Sequence, residues 1–549
     1  MALNHTSLGQ LQGIRPSHHP GVEQYLGIQY AKLANAFARG VLVEKPHAPV
    51  DATALGPLPL ADPKNCDTEH LLFQHSLPHP EYKFSDTECL TLNVSVPSAE
   101  SRSSAPGPLP VIVFMHGGGY VTGSANWPQY DLASLVAQSG KLGQPIIAVG
   151  INYRLGPFGF LTSSALRDAG FKPNNGLDDQ KLGLRWVQKH IAGFGGDPSR
   201  VTFYGSSAGA AAGFLHLQST EPLFGQLAGL GGSPLIQPLP LHVAEIAFGI
   251  VTSVLGLDKL QPAEQVKALL STPAQDLSAK LLGVPLPLAA VIDGDIVKSS
   301  PSYASLADVN SLESLYPGVN WCKTILMGDA QMDGMIIGIT ALAGRSDNLA
   351  VALKRSLEAV FPDDAAKVTT ILEGYSVDES KDDRLPILNF INDTVFALGA
   401  KLTAKAWAGT ASRLNTKAYL AHFNMPNPWD GPWQGHGSHA FDTATLLGNY
   451  NEFLGDGQRA CAEKMAADMI SFAYGKEPFL PYSGEPGGTA MVYYAGVDGK
   501  EDVSHAVSGS DESGTGRRTI LEQMAAGKPE VFDKLMGAFS LLIQGPPPK

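Results

Sequence analysis

Apolar residues follow two rhythms along this chain. Over the first hundred residues, Gly9 to Ile14, Tyr25 to Tyr30 and Leu90 to Val96 form short strand-like runs broken by Pro and Gly, which predicts an antiparallel start. From Val111 onward, short apolar runs alternate with Gly-rich turns and helically spaced segments. The runs are Val111 to Met115, Pro145 to Asn152, Val201 to Tyr204, Thr324 to Met327 and Ala418 to Phe423. Strands this short and this apolar are expected where both faces of a sheet are covered. The clearest helix is Asp178 to Ile191: Leu182, Trp186 and Val187 share one face, Asp178 and Asp179 favour its positive end, and Gly193 can end it. The pattern predicts an α/β protein with a central, mostly parallel twisted sheet and helices on both faces.

Two stretches, about 239–316 and 340–414, carry helical apolar spacing with Pro and Gly interruptions but no low-complexity linker. They predict helical insertions within one domain spanning residues 1–549. No internal repeat suggests a solenoid or propeller.

Composition narrows the function classes. The formal net charge is −13, without a Lys/Arg stripe, so a nucleic-acid partner is not expected. The most apolar region, Leu235 to Leu257, is broken by Pro238, Pro240, His242 and Glu245, and no transmembrane segment is predicted. Residues 1–27 contain no apolar stretch of the secretory type, so a cytoplasmic location is expected. Cys66, Cys89, Cys322 and Cys461 lack metal-ligand spacing and predict neither a disulfide scaffold nor a metal site. The sequons at Asn4, Asn93 and Asn392 read as chance, Asn93 falling within a strand-like run.

Chemistry enters at Gly205-Ser206-Ser207-Ala208-Gly209, between a strand-like run and the small-residue stretch Ala210 to Gly213. A strand-turn-helix of this kind is a nucleophile elbow. Glycine flanks are needed because the sharp turn strains the serine backbone and brings other main chain too close for side chains. Register makes Ser207 the central residue, with Ser206 beside it. Upstream, Val111-Ile-Val-Phe-Met runs into His116-Gly117-Gly118-Gly119-Tyr120. Amides of Gly118, Gly119 and Ala208 could meet the oxyanion of a tetrahedral intermediate, with His116 orienting the loop. No Lys-Ser/Thr follows the glycines, as a phosphate-binding loop would require.

With these motifs in view, the chain resembles the type-B carboxylesterase/cholinesterase family of the α/β-hydrolase superfamily. The resemblance extends to Tyr25-Leu-Gly-Ile-Gln-Tyr-Ala, Glu88-Cys-Leu-Thr-Leu-Asn-Val, Ile151-Asn-Tyr-Arg-Leu-Gly-Pro-Phe-Gly-Phe-Leu, Asn175-Gly-Leu-Asp-Asp-Gln and Phe194-Gly-Gly-Asp-Pro. It covers most of the first 235 residues and is weaker beyond. It implies a serine ester hydrolase that needs no cofactor and acts on a small-molecule ester. Ser206 stands where the family usually has Glu, and Cys66 and Cys89 resemble its first disulfide pair, which a cytosolic location would keep reduced.

In this fold the triad acid and histidine follow late strands, in the chain order Ser, acid, His. After Thr324 to Met327 comes Gly328-Asp-Ala-Gln-Met-Asp333-Gly334, and Asp333-Gly334 resembles the family's Glu-Gly pair with Asp where the family often has Glu, Asp329 competing. After Ala418 to Phe423, His436 and His439 compete. The run from His439 to Gly448 resembles the family's histidine segment, which favours His439 as base. Asp442 reads as a helix-start carboxylate, and Ser233 resembles a family serine that supports the triad. The same triad could serve acyl transfer or lactone opening. Some members of the family are adhesion or scaffold proteins that have lost the serine, whereas this chain keeps every triad residue type.

Overall fold

The computed structural model describes residues 1–45, 49–102, 107–236, 238–381, 383–483, 488–495, 504–508 and 516–545. Ten strands form one sheet: β1 (Val22–Gln29), β2 (Thr91–Pro97), β3 (Leu109–Met115), β4 (Ile147–Ile151), β5 (Gly196–Ser206), β6 (Gln226–Leu230), β7 (Thr324–Ala330), β8 (Lys417–Phe423), β9 (Thr489–Tyr493) and β10 (Ser504–Ser508). Their spatial order is β10-β9-β8-β7-β6-β5-β3-β4-β2-β1. From β4 through β9 every neighbouring pair is parallel, while β1, β2 and β10 join antiparallel at the two edges. The mostly parallel sheet and the antiparallel start both match the hydrophobic pattern.

The central strands are apolar runs because they are covered on both sides. Every residue of β3 (Leu-Pro-Val-Ile-Val-Phe-Met) and of β4 (Ile-Ala-Val-Gly-Ile) is buried. The predicted helix forms as Asn175–His190, with Leu182, Trp186 and Val187 buried. Its Asp179 makes a fully buried ion pair with Arg154 from the loop after β4, Nε to Oδ2 at 2.7 Å. Burial without such pairing would be costly for either charge, so the pair fixes the helix against that loop.

The first region read as insertion holds Leu241–Val254, Pro262–Ser271 and Ala274–Leu281. These helices close a small apolar cluster of their own, including Phe158, Phe248, Val251, Val266, Leu269 and Leu277. The second holds Leu349–Val360, Ala365–Gly374, Leu385–Ile391 and Leu398–Gly409, with a π-helical turn at Asn392–Ala397 between the last two. Among the described residues no helix is long and apolar enough to cross a membrane. All four cysteines are buried, and Cys66 and Cys89, the pair resembling the family's first disulfide, are not joined. Asn93 and Asn392 are buried and occupied in side-chain hydrogen bonds.

Parallel order has one consequence for function. The carboxyl ends of β3, β5, β7 and β8 lie along one edge of the sheet, where ligands of open α/β sheets bind. The segments that follow those four strands carry the candidate residues.

Candidate active site

Strand β5 ends at Ser206 and the helix Ala208–Leu217 begins two residues later, leaving Ser207 alone at the corner. Its φ of 55° and ψ of −123° lie where residues with side chains are rarely found. Its amide donates to the Leu230 carbonyl at 2.8 Å, so neighbouring β6 helps hold the turn. Any side chain at Gly209 would meet the Met115 carbonyl oxygen at 2.2 Å. The helix start is thereby seated directly against the end of β3, which leads into the triple-glycine loop.

That loop touches the serine. A β-carbon at Gly117 would lie 2.8 Å from Cβ of Ser207. Gly118 has φ of 92°, and a side chain there would meet the Thr122 carbonyl at 2.2 Å, so the bend accepts only glycine. Among the described residues, the amides of Gly118, Gly119 and Ala208 donate to no main-chain acceptor. Three unspent donors beside a serine suit an oxyanion.

His116 is buried under this bend. Its ring stacks on Tyr153 at 4.4 Å, its Nδ1–H donates to the Gly117 carbonyl at 3.0 Å, and the Tyr153 hydroxyl donates to the His116 carbonyl at 3.0 Å. Burial pushes the imidazole down to about 4, so it is neutral near neutrality and serves as a brace for the loop.

Asp333 and His439 arrive from the loops after β7 and β8. His439 Nδ1 is 2.6 Å from Asp333 Oδ1, and His439 Nε2 is 3.0 Å from Ser207 Oγ. Asp333 Oδ2 accepts the Ala330 amide at 2.7 Å, fixing the carboxylate plane. The two loops join through a bridge between Met332 and Ser438. Burial alone would lower the His439 imidazole. The hydrogen bond and charge of Asp333, aided by the charges of Asp442 and Glu69, outweigh it and hold the ring above its ordinary value.

The competing residues have other surroundings. Asp329 Oδ1 lies 2.5 Å from His422 Nδ1, and its Oδ2 accepts Arg518 at 2.6 Å. His436 is half-buried, its main chain bonded to Trp433 and Asn427. Ser206 is buried at the end of β5, beside β6. Ser233 is also buried, its hydroxyl accepting the Leu235 amide at 3.2 Å. Among the described residues that hydroxyl bonds to neither Asp333 nor His439.

Of three further neighbours of the histidine, Glu69 and Phe396 were signalled by no motif, and Asp442 read only as a helix-start carboxylate. Asp442 does open the helix Phe441–Leu447, but it is buried, and desolvation with the nearby Asp333 charge pushes its carboxyl up to about 7. Phe396, from the π-helical turn, presents its ring edge to His439 at 5.6 Å. Glu69 comes from the helix Asn65–Phe73 and accepts Gln129 at 3.3 Å; burial pushes its carboxyl up to about 6. Glu69 and Phe396 lie far from the triad motifs in sequence, and no local pattern ties them to the site.

A mostly parallel sheet with a serine on a strained strand-to-helix turn, an imidazole and a carboxylate in line behind it, and a glycine loop beside it define an α/β-hydrolase. The chain belongs to the carboxylesterase family, whose model matches residues 2–482. It is 36% identical over 224 residues to the para-nitrobenzyl esterase of Bacillus subtilis (strain 168), covering 40% of this chain and 41% of that protein. It is 38% identical over 217 residues to lipase 2 of Diutina rugosa, covering 36% of each. A longer match, 30% identical over 455 residues, links it to the acetylcholinesterase of Bungarus fasciatus, covering 78% of this chain and 71% of that one. The chain thus spans less than half the length of the first two of these relatives. The structure superposes on a solved PNB esterase with a TM-score of 0.70 at 22% identity, over 95% of this chain and 99% of the other. At that identity the likeness speaks for the fold.

Proposed function

We propose that this protein is a serine carboxylic-ester hydrolase acting through an acyl-enzyme on Ser207, with His439 as base and Asp333 as its orienting acid. The observation that carries the reading is the unbroken hydrogen-bonded line from Asp333 through His439 to Ser207, at 2.6 and 3.0 Å. In the first half-reaction His439 Nε2 takes the hydroxyl proton as Oγ attacks the ester carbonyl. The carbonyl electron pair moves to oxygen, facing the amides of Gly118, Gly119 and Ala208. Collapse expels the alcohol, which leaves with the proton held on His439. Water deprotonated by the same imidazole then attacks the acyl-enzyme, and a second collapse frees the acid and restores Ser207.

The acyl group has a place to go. Gly119 and Ala208 border a cavity of about 90 Å³ whose other walls are Tyr120, Leu215, Ile236, Pro238, Ala289 and Ala290. The apolar walls and the confined space support esters of short, unbranched acids. The separate Cys66 and Cys89 thiols support a reducing, cytoplasmic setting, and one α/β-hydrolase unit with two helical insertions accompanies it.

Hydrolysis of para-nitrophenyl esters from acetate to decanoate tests this reading. The expected kcat/KM peaks at or below butanoate and falls for octanoate. A maximum at octanoate or beyond would contradict the assignment of this cavity to the acyl group.

A further inference from the structure

The helix Arg517–Ala525 lies beyond residue 482, where the family match ends, yet its first residues reach back beneath the candidate active site. Arg518 is almost fully buried. Its Nη2 donates to Asp329 Oδ2 at 2.6 Å and its Nε to Asp393 Oδ1 at 3.0 Å. Arg517 Nε donates to Asp393 Oδ2 at 2.6 Å, and the Tyr375 hydroxyl donates to the same oxygen at 3.1 Å. His422 Nδ1 completes the set, 2.5 Å from Asp329 Oδ1. Two aspartates and two arginines, drawn from three distant stretches of chain, balance one another in the interior.

This cluster grips both ends of the segment that presents Asp333. Asp329 is the penultimate residue of β7, and the next residue, Ala330, donates its amide to Asp333 Oδ2. At the far end, the Gly334 amide donates at 3.0 Å to Asn392 Oδ1, immediately before Asp393 in the π-helical turn. π-Helical turns recur at functional sites, and here the turn ties the acid-bearing segment to the arginines. The turn also carries Phe396, whose ring meets His439.

We propose that Arg518 is a positioning residue for the triad: through Asp329 and Asp393 it anchors the segment 329–334, and its guanidinium offsets the Asp329 charge that would otherwise act on Asp333 and His439. The proposal rests on the triad reading above. Asp329 faces Arg518 and His422, and it shares a small cavity with Asp442 and Tyr493. His439 in turn faces Asp333, Asp442 and Glu69. In so dry a setting a bare carboxylate acts over a longer distance than in water. An unbalanced negative charge at Asp329 would favour the imidazolium and so disfavour the neutral base.

The test is the pH dependence of kcat/KM and the separate kcat and KM of the full chain, with para-nitrophenyl acetate as probe and active sites counted by organophosphonate titration. R518M should lower kcat about tenfold with KM changed by less than about twofold, and should move the acid limb up by about one pH unit. D329N should move the acid limb down, and R518M/D329N should return it to the wild-type position. A purely structural role predicts lost active sites but an unmoved limb in every variant. That result, or a shift of both single variants in the same direction, would overturn the proposal. If R518M does not fold, D329N decides it: an acid limb at the wild-type position overturns it. A wild-type chain that hydrolyses no ester, or is labelled away from Ser207, defeats the triad reading instead.

Discussion

Ser207 Oγ and His439 Nε2 stand 3.0 Å apart across 232 residues of chain. Nothing local in the sequence requires that proximity. It follows from parallel order, in which β5, β7 and β8 end on the same edge of the sheet and deliver three side chains to one point. The elbow turns the serine hydroxyl outward, and the Met332–Ser438 bridge locks the acid and histidine loops together.

In the proposed mechanism the state of His439 sets the pH profile. Only the neutral imidazole can accept the serine proton, and Asp333 holds the ring above its ordinary value of 6.5 despite burial. Activity should therefore fall as pH drops through a value above 6.5. In Asp333→Asn the upward pull is lost while burial remains, so the acid limb should move down as kcat falls by roughly 10⁴. Initial rates across pH 5 to 9 for both proteins check this. An acid limb at the same pH in both would contradict it.

Gly209 seats the helix after Ser207 against the start of the triple-glycine loop. In Gly209→Ala the added methyl would meet the carbonyl oxygens of Met115 and His116 at 2.2 and 2.7 Å, and both belong to rigid main chain. Stability should fall by about 1–3 kcal/mol. The displaced loop should also lower kcat by about tenfold or more, since oxyanion donors act only when correctly placed. Thermal unfolding and turnover measured on the same preparation test both parts.

The cavity proposed for the acyl group can be filled deliberately. Ala290→Leu adds three carbons to a wall of a space of about 90 Å³. Acetate esters should still be hydrolysed within a few-fold of the wild-type rate. Butanoate esters should lose about 10- to 100-fold in kcat/KM, the scale of one or two methylenes in a tight pocket. Equal losses for both esters would mean the acyl chain points elsewhere.

Much of this was legible from the sequence because its decisive parts are local. Val201 to Gly209 holds strand, turn and helix in nine residues, and the bend after Met115 is written in consecutive glycines. Strands β3, β4, β7 and β8 announced themselves as apolar runs. By contrast β6, Gln-Leu-Ala-Gly-Leu, is five residues long, contains glycine and runs into Gly231-Gly232. It reads as a turn until β5 and β7 are seen pairing on either side of it. Arg518, Asn392 and Glu69 were equally silent, because their roles come from contacts between elements far apart in the chain. Asp442 was visible as a helix-start residue, but its burial beneath the histidine depends on packing that no spacing reveals.

The most direct test of the central claim is covalent capture. The folded protein is treated with a fluorophosphonate and its peptides are mapped by mass spectrometry. One adduct per chain is expected, on Ser207, absent from Ser207→Ala, whose esterase turnover should fall by roughly 10⁶. An adduct on Ser206, or none on a folded chain that still hydrolyses esters, would contradict it.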